Sequence, residues 1–185
     1  MQSEIQSSNP NIASYAPRSA TSVARVHTIS VYLNDKPGVL ARLSVVFARR
    51  GYNIESLIVS PSSTGGFSRM TITCSGDPAT LEQIIKQLGK IVDVVHATDS
   101  TDRPVVETEL ALIKLDVSID TRTHVLQIAE HFEAKVVDLC HRSMILRISG
   151  SSKKLDDFVA LLQPFHILEL VRTGKAVMAR GSDIT

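Results

Sequence analysis

The chain has 185 residues, 20 basic against 19 acidic side chains and a net charge of +1, so no strong field draws it to nucleic acid or an anionic membrane. A hydrophobic fraction of 43% excludes wholesale disorder, and no apolar run approaches the roughly 20 residues that cross a bilayer. Two distant cysteines, Cys74 and Cys140, form no CxxC pair, which excludes a zinc ribbon, a thioredoxin-like site and a disulfide framework and fits a reducing compartment.

Residues 1–24 are rich in serine, with Asn9, Pro10, Asn11 and Pro17 among them, and read as a disordered arm. The arm lacks the apolar core of a secretory signal. Its serines, with Arg18 and Glu4, faintly suggest the remnant of an organelle transit peptide; the plainer reading is an untargeted terminus. From Arg25 the pattern becomes regular. Ile29, Val31 and Leu33 alternate with polar residues as in a half-buried strand. After Asn34-Asp35-Lys36-Pro37-Gly38, Val39, Leu40, Leu43, Val46 and Phe47 recur at helical spacing, closed by Gly51. Tyr52 to Val59 predicts a second strand, Gly65-Gly66 a turn, and Met70, Ile72 and Cys74 a third strand. Asp77 caps and Pro78 opens a second helix carrying Leu81, Ile84, Ile85 and Leu88 on one face, and Ile91 to Ala97 predicts a fourth strand.

Past a polar linker the order repeats. Leu110 to Val117 predicts a strand, and Asp120 a cap for a helix bearing Val125, Ile128, Ala129 and Phe132. Val136 to Leu139 and Met144 to Ile148 predict two strands. Ser151-Ser152 opens a helix with Leu155, Phe158, Val159 and Leu162 inward, and Phe165 to Val171 predicts a last strand. The expected fold class is α+β, two tandem ferredoxin-like βαββαβ units. The expected boundaries are an arm at 1–24, a first unit at 25–99, a linker at 100–106, a second unit at 107–172 and a tail at 173–185. Units this small are marginal alone, so the sheet face left open by the helices calls for a partner, either the other unit or a second chain.

Candidate chemistry is sparse. His124 and His131 are seven apart on one predicted helix, too far for a single metal ion, and read as surface histidines. Cys140 and His141 are adjacent in a predicted strand and so point to opposite faces. Gly65-Gly66 precedes a strand, not a helix, and Thr173-Gly174-Lys175 lacks the rest of a P-loop. RNA recognition on this strand order needs aromatics on the central strands, and only Tyr32 and Phe67 are offered. What remains is the junction from Asp35 to Leu40, a strand end leading into a helix N-terminus. Free N–H groups and the positive dipole end suit a carboxylate, Gly38 leaves the backbone approachable, and Asp35 would attract an ammonium. The pair suits a zwitterion, a free amino acid; Pro37-Gly38 could equally be a plain helix start. The corresponding junction in the second copy, Ser118-Ile119-Asp120-Thr121, has no glycine.

The segment LNDKPGVLARLSVVFARRGYNIESLIVSP resembles the amino-acid-binding ACT domain. With SRMTI, LEQIIKQLGKIVDVV, ELALIKL and LELVRTGKAVMARG it is similar to the regulatory (small) subunits of acetolactate synthase, or acetohydroxyacid synthase, over about residues 25–181. That resemblance implies a homodimer through the ACT domains, with valine or another branched-chain amino acid bound where two chains meet. The site residues it implies are Asp35, Lys36, Pro37, Gly38, Val39 and Leu40 of one chain, with Asn53 and Ile54 of the other. Some family members carry Asn at the position of Asp35. It also implies that the chain is not an enzyme and carries no cofactor of its own. The partner would be a catalytic (large) subunit carrying thiamine diphosphate, magnesium and FAD, which condenses pyruvate with pyruvate or 2-oxobutyrate. The small subunit would activate it and make it sensitive to feedback. The expected location is cytoplasmic, or a plastid or mitochondrion if residues 1–24 are a transit remnant. Two other readings stay open: an enzyme with its own ferredoxin-like site, and a free-standing amino-acid sensor, which neither a helix-turn-helix nor a basic patch favours.

Overall fold

A computed structural model describes residues 25–183 and 185; the arm expected at 1–24 lies outside the described residues. The described chain divides into two compact units. One runs to Glu109 and takes in Thr173–Thr185, and the other is Leu110–Arg172.

The first unit is built from β1 (Arg25–Asn34), α1 (Val39–Arg49), β2 (Ile54–Pro61), β3 (Phe67–Gly76), α2 (Pro78–Leu88) and β4 (Val94–Asp99). The strands lie in the order β2-β3-β1-β4, and every pair is antiparallel. Alternation in β1 sends Ile29, Val31 and Leu33 to one face, where they are buried with Met70, Ile72 and Cys74 of β3. Leu43 and Phe47 of α1 and Leu81, Ile84 and Leu88 of α2, at helical spacing, close over that face. Gly65-Gly66 sits in a hairpin turn, with the Ser62 N–H donating to the Phe67 carbonyl at 2.9 Å.

The second unit repeats the plan with the part of β5 (Val105–Asp116) from Leu110 onward, α3 (Ile119–His131), β6 (Lys135–Leu139), β7 (Ser143–Gly150), α4 (Ser152–Leu162) and β8 (His166–Arg172), in the order β6-β7-β5-β8. Its core gathers Ala111, Ile113 and Leu115, Met144, Leu146 and Ile148, and Leu155, Phe158 and Leu162. The α+β class and the tandem ferredoxin-like arrangement are those the periodicity predicts.

Several element ends differ from expectation. β5 starts at Val105, five residues before Leu110, because its first residues form a ribbon with β9 (Ala176–Ala179) in the register Val105 opposite Ala179 to Thr108 opposite Ala176. Glu107, Thr108 and Glu109 hide this stretch from a hydrophobicity reading. The ribbon also gives the segment after Arg172 a strand of its own. β4 begins at Val94, since Ile91–Asp93 form a turn, and β2 begins at Ile54. α3 is capped by Ser118, not Asp120. Ser118 and Thr121 form a reciprocal capping box, and Asp120 lies in the first turn, where a negative charge meets the helix dipole.

Candidate functional site

β1 ends at Asn34, whose N–H donates to the Asp93 carbonyl at 2.8 Å. The Asp35 N–H donates to the Gly66 carbonyl at 2.9 Å, and the Lys36 N–H turns back to the Asn34 carbonyl at 3.0 Å. Gly38 then takes φ 81° and ψ −4°, the left-handed region that glycine alone enters freely, and α1 starts. A Cβ on Gly38 would meet nothing within 4 Å, so within this chain the glycine is required for its backbone angle.

No side chain caps α1. The other three helices among the described residues are capped: Asp77 accepts from the Ala79 and Thr80 amides, Ser118 from Thr121 and Ser151 from Lys154. The first intrahelical bond of α1 runs from the Arg42 N–H to the Gly38 carbonyl at 3.2 Å, and the Val39 N–H reaches the Lys36 carbonyl only at 3.4 Å. The dipole end of α1 therefore faces outward without an internal acceptor of side-chain origin.

The site residues expected from sequence are not equivalent in space. Asp35, Lys36, Pro37 and Gly38 are exposed and Leu40 is 45% exposed, while the Val39 side chain is buried in the core, leaving only its backbone to a ligand. Asn53 is exposed just before β2, and Ile54 is half-buried against the core. Neither is near the loop within one chain. Ile54 pairs with Cys74, which pairs with His27, whereas the loop follows Asn34, opposite Phe67. Seven residues of β1 separate the two ends, about 23 Å at roughly 3.3 Å per residue.

The structure adds two residues that sequence reasoning missed. Asp93, with its side chain 8% exposed, receives Arg42 Nη2 at 2.5 Å and Lys36 Nζ at 3.4 Å. The available signal was a lone charge inside the apolar run Ile91-Val92-Asp93-Val94-Val95, which is unusual unless the charge is paired.

Elsewhere, His124 and His131 line one shallow cavity of about 320 Å³ with Gln127, Ile128, Phe132 and Leu161. Among the described residues no group of three or more His, Cys, Asp or Glu side chains could hold a metal. Cys140 and His141 are not in a strand: β6 ends at Leu139, and both carbonyls accept from Arg122 Nη2 at 2.9 Å in the turn before β7. Cys74 is fully buried, and burial, with Glu55 and Asp99 adding, pushes its thiol up to about 11, the reverse of what a nucleophile needs. Gly174, at φ 86°, lies against Ser56, and the neighbouring Lys175 pairs with Glu107 at 2.9 Å. Tyr32 stacks with Phe67 and His96, with ring centroids 5.2 and 5.4 Å away, so its ring is engaged within the protein. No helix among the described residues is long and apolar enough to cross a membrane.

Comparison with known proteins places both units. Residues 29–96 match the family described as the AHAS small subunit-like ACT domain, and residues 108–181 match the one described as the small subunit of acetolactate synthase. The acetolactate synthase small subunit of Aquifex aeolicus is 43% identical over 161 residues, covering 86% of this chain and 84% of that one. The probable small subunit of Archaeoglobus fulgidus is 40% identical over 156 residues, covering 84% of this chain and 98% of that one. The crystal structure of the small subunit from Thermotoga maritima superposes with a TM-score of 0.77 at 37% identity, covering 86% of this chain and 99% of that one. With both repeats matched and 84–99% of the length of these relatives spanned, the chain belongs to the acetolactate synthase small-subunit family.

Proposed function

We propose that this chain is the feedback-sensing regulatory subunit of an acetolactate synthase, raising the activity of the catalytic subunit and binding valine or another branched-chain amino acid between two copies of its ACT unit. The observation that carries this reading is the uncapped N-terminus of α1 behind the left-handed Gly38. The ligand carboxylate takes the place of the missing cap on the amides that begin α1, and Asp35 draws the ammonium. Valine, leucine and isoleucine differ by groups worth only about 1–3 kcal/mol in such a pocket, so all three are candidate effectors.

Two chains complete the site. β2 is an edge strand, with Val59 47% exposed. Antiparallel pairing of β2 with its copy, centred between Leu57 and Ile58, would set Ile54 of one chain beside Pro61 of the other. Pro61 is opposite Ser68, at the end of the sheet where the loop lies. Asn53 then reaches the polar end of a ligand held by the other chain's loop. Thiamine diphosphate, magnesium and FAD belong in this reading to the catalytic subunit, and this chain contributes no group to bond making.

Co-purification with the catalytic subunit, then activity with and without valine, tests the proposal. Activation by the chain and inhibition that appears only in its presence are the expected results. Activation without any amino-acid response would remove the effector role. A chain that neither co-purifies nor activates would leave the free-standing sensor.

A further inference from the structure

We infer that Asp93 is the positioning residue of the effector loop, holding the strand end, the loop and the first turn of α1 in the geometry that binds the amino acid; this rests on the effector reading above. One residue touches all three parts. Its carbonyl accepts the Asn34 N–H at the end of β1 at 2.8 Å. Its carboxylate takes Lys36 of the loop at 3.4 Å and Arg42 of α1 at 2.5 Å. Gly38 lies between these anchors in sequence.

The burial is asymmetric, and this decides what the cluster does. The Asp93 side chain is 8% exposed, whereas those of Lys36 and Arg42 are 64% and 56% exposed. A carboxylate taken from water must be paired, so Asp93 holds its cations, while the cations could each be solvated without it. The cluster therefore fixes the chain around the carboxylate, and the loop inherits that placement. Two opposite effects follow from removing the charge. Freed Lys36 and Arg42 leave more positive potential near a bound carboxylate, but exposed, screened charges change affinity by at most about fivefold. Loosening several loop residues costs more, since each ordered residue must then be fixed by the ligand on binding. Loss of affinity is the net direction. Because the loop meets the carboxylate common to all three branched-chain amino acids, their affinities should fall together.

The test uses the full-length chain, Asp93→Asn, Arg42→Gln and the double variant, titrated calorimetrically with valine and leucine. The Gly38 amide resonance serves as a local readout. Each single variant should weaken both ligands by about tenfold, the scale of a hydrogen bond to a charged group, and the double variant should add little more. The Gly38 resonance should shift or broaden in the ligand-free variants. Activation of the catalytic subunit should persist, which a merely unfolded unit would not allow. Arg42→Lys, which keeps the charge, should restore most of the affinity. Asp93→Asn opens a buried site, but Arg42→Gln alters an exposed side chain and keeps the test decisive if the former fails to fold. Equal binding by the parent and Arg42→Gln overturns the inference alone. A parent chain that binds no branched-chain amino acid overturns the effector reading, and this inference with it.

Discussion

At the scale of single residues, Gly38 and Cys74 show how environment decides role. Gly38 has open space where a Cβ would stand, so Gly38→Asp costs mainly the left-handed backbone, about 1 kcal/mol, a penalty that Asp tolerates better than most residues. On the proposed effector role its functional cost is larger, because the new carboxylate would occupy the amides assigned to the ligand's. Valine inhibition of the reconstituted enzyme should vanish while activation survives. Asn53→Ala should weaken valine binding by about 1–3 kcal/mol in calorimetry if the residue completes the partner's site. Cys74 makes an independent prediction. Its thiol stays protonated to about pH 11 in the folded chain, above the unfolded value near 9. The folded state thus holds the proton longer. The associated stability is present below pH 9 and is lost as pH rises toward 11, amounting to about 2–3 kcal/mol at completion. Urea unfolding of the parent against Cys74→Ala at pH 8 and pH 11 measures it, and a pH-independent difference would refute it. Alkylation of the native chain should label exposed Cys140 and spare Cys74 until unfolding.

At the scale of elements, the helix ends carry the distinction between the two units. α1 and α3 occupy equivalent places in the repeat, yet α3 closes its N-terminus with the Ser118–Thr121 box and α1 leaves its own open. An open terminus forgoes a cap worth about 1 kcal/mol, a cost expected where a ligand supplies the missing acceptor. The C-termini differ in the opposite sense. Gly51 follows α1 at φ 67°, whereas Glu133 follows α3 at φ 56°, the one non-glycine residue among those described with positive φ. Glu133→Gly removes that strain and gives up only a 3.4 Å pair with Lys154, with Glu133 86% exposed. It should raise stability by about 0.5–1 kcal/mol without changing any effector response. An unchanged or lower unfolding midpoint would count against the strain argument.

At the scale of the molecule, the last residues belong to the first unit. Ala176–Ala179 pair with Val105–Thr108, Lys175 pairs with Glu107, Gly174 lies against Ser56, and Arg69 Nη1 donates to the Thr185 carbonyl at 2.6 Å. Deleting residues 173–185 should therefore loosen β2, β3 and the first half of β5, with faster amide exchange there, and leave β7 and α4 unchanged. Faster exchange confined to β7 and α4 would reverse that assignment. It also follows that a fragment ending near Arg103 would lack part of its own unit, so effector binding should be measured on the full chain. Sedimentation at micromolar concentration checks the proposed pairing through β2: a dimer is expected, and a strict monomer unaffected by valine would remove the shared site.

Periodicity alone determined much of this protein. Alternation in Ile29–Leu33 and Met70–Cys74, with the spacing of Leu43 and Phe47 and of Leu81, Ile84 and Leu88, specifies the strands, helices and their repeat, because each buries one face whatever its neighbours are. Gly38 stands out in the sequence as a residue that leaves the backbone approachable, whereas its need for a positive φ comes only from the structure. Tertiary structure alone decided the rest. The pairing of Ala176–Ala179 with Val105–Thr108 spans some seventy residues of sequence and has no apolar alternation, because a ribbon's edge needs hydrogen bonds more than burial. The convergence of Lys36 and Arg42 on Asp93 joins residues more than fifty apart, and charge pairing leaves no period in a sequence. The roughly 23 Å between the loop and Asn53 is set by strand register, which is why one chain by itself holds only half of the proposed site.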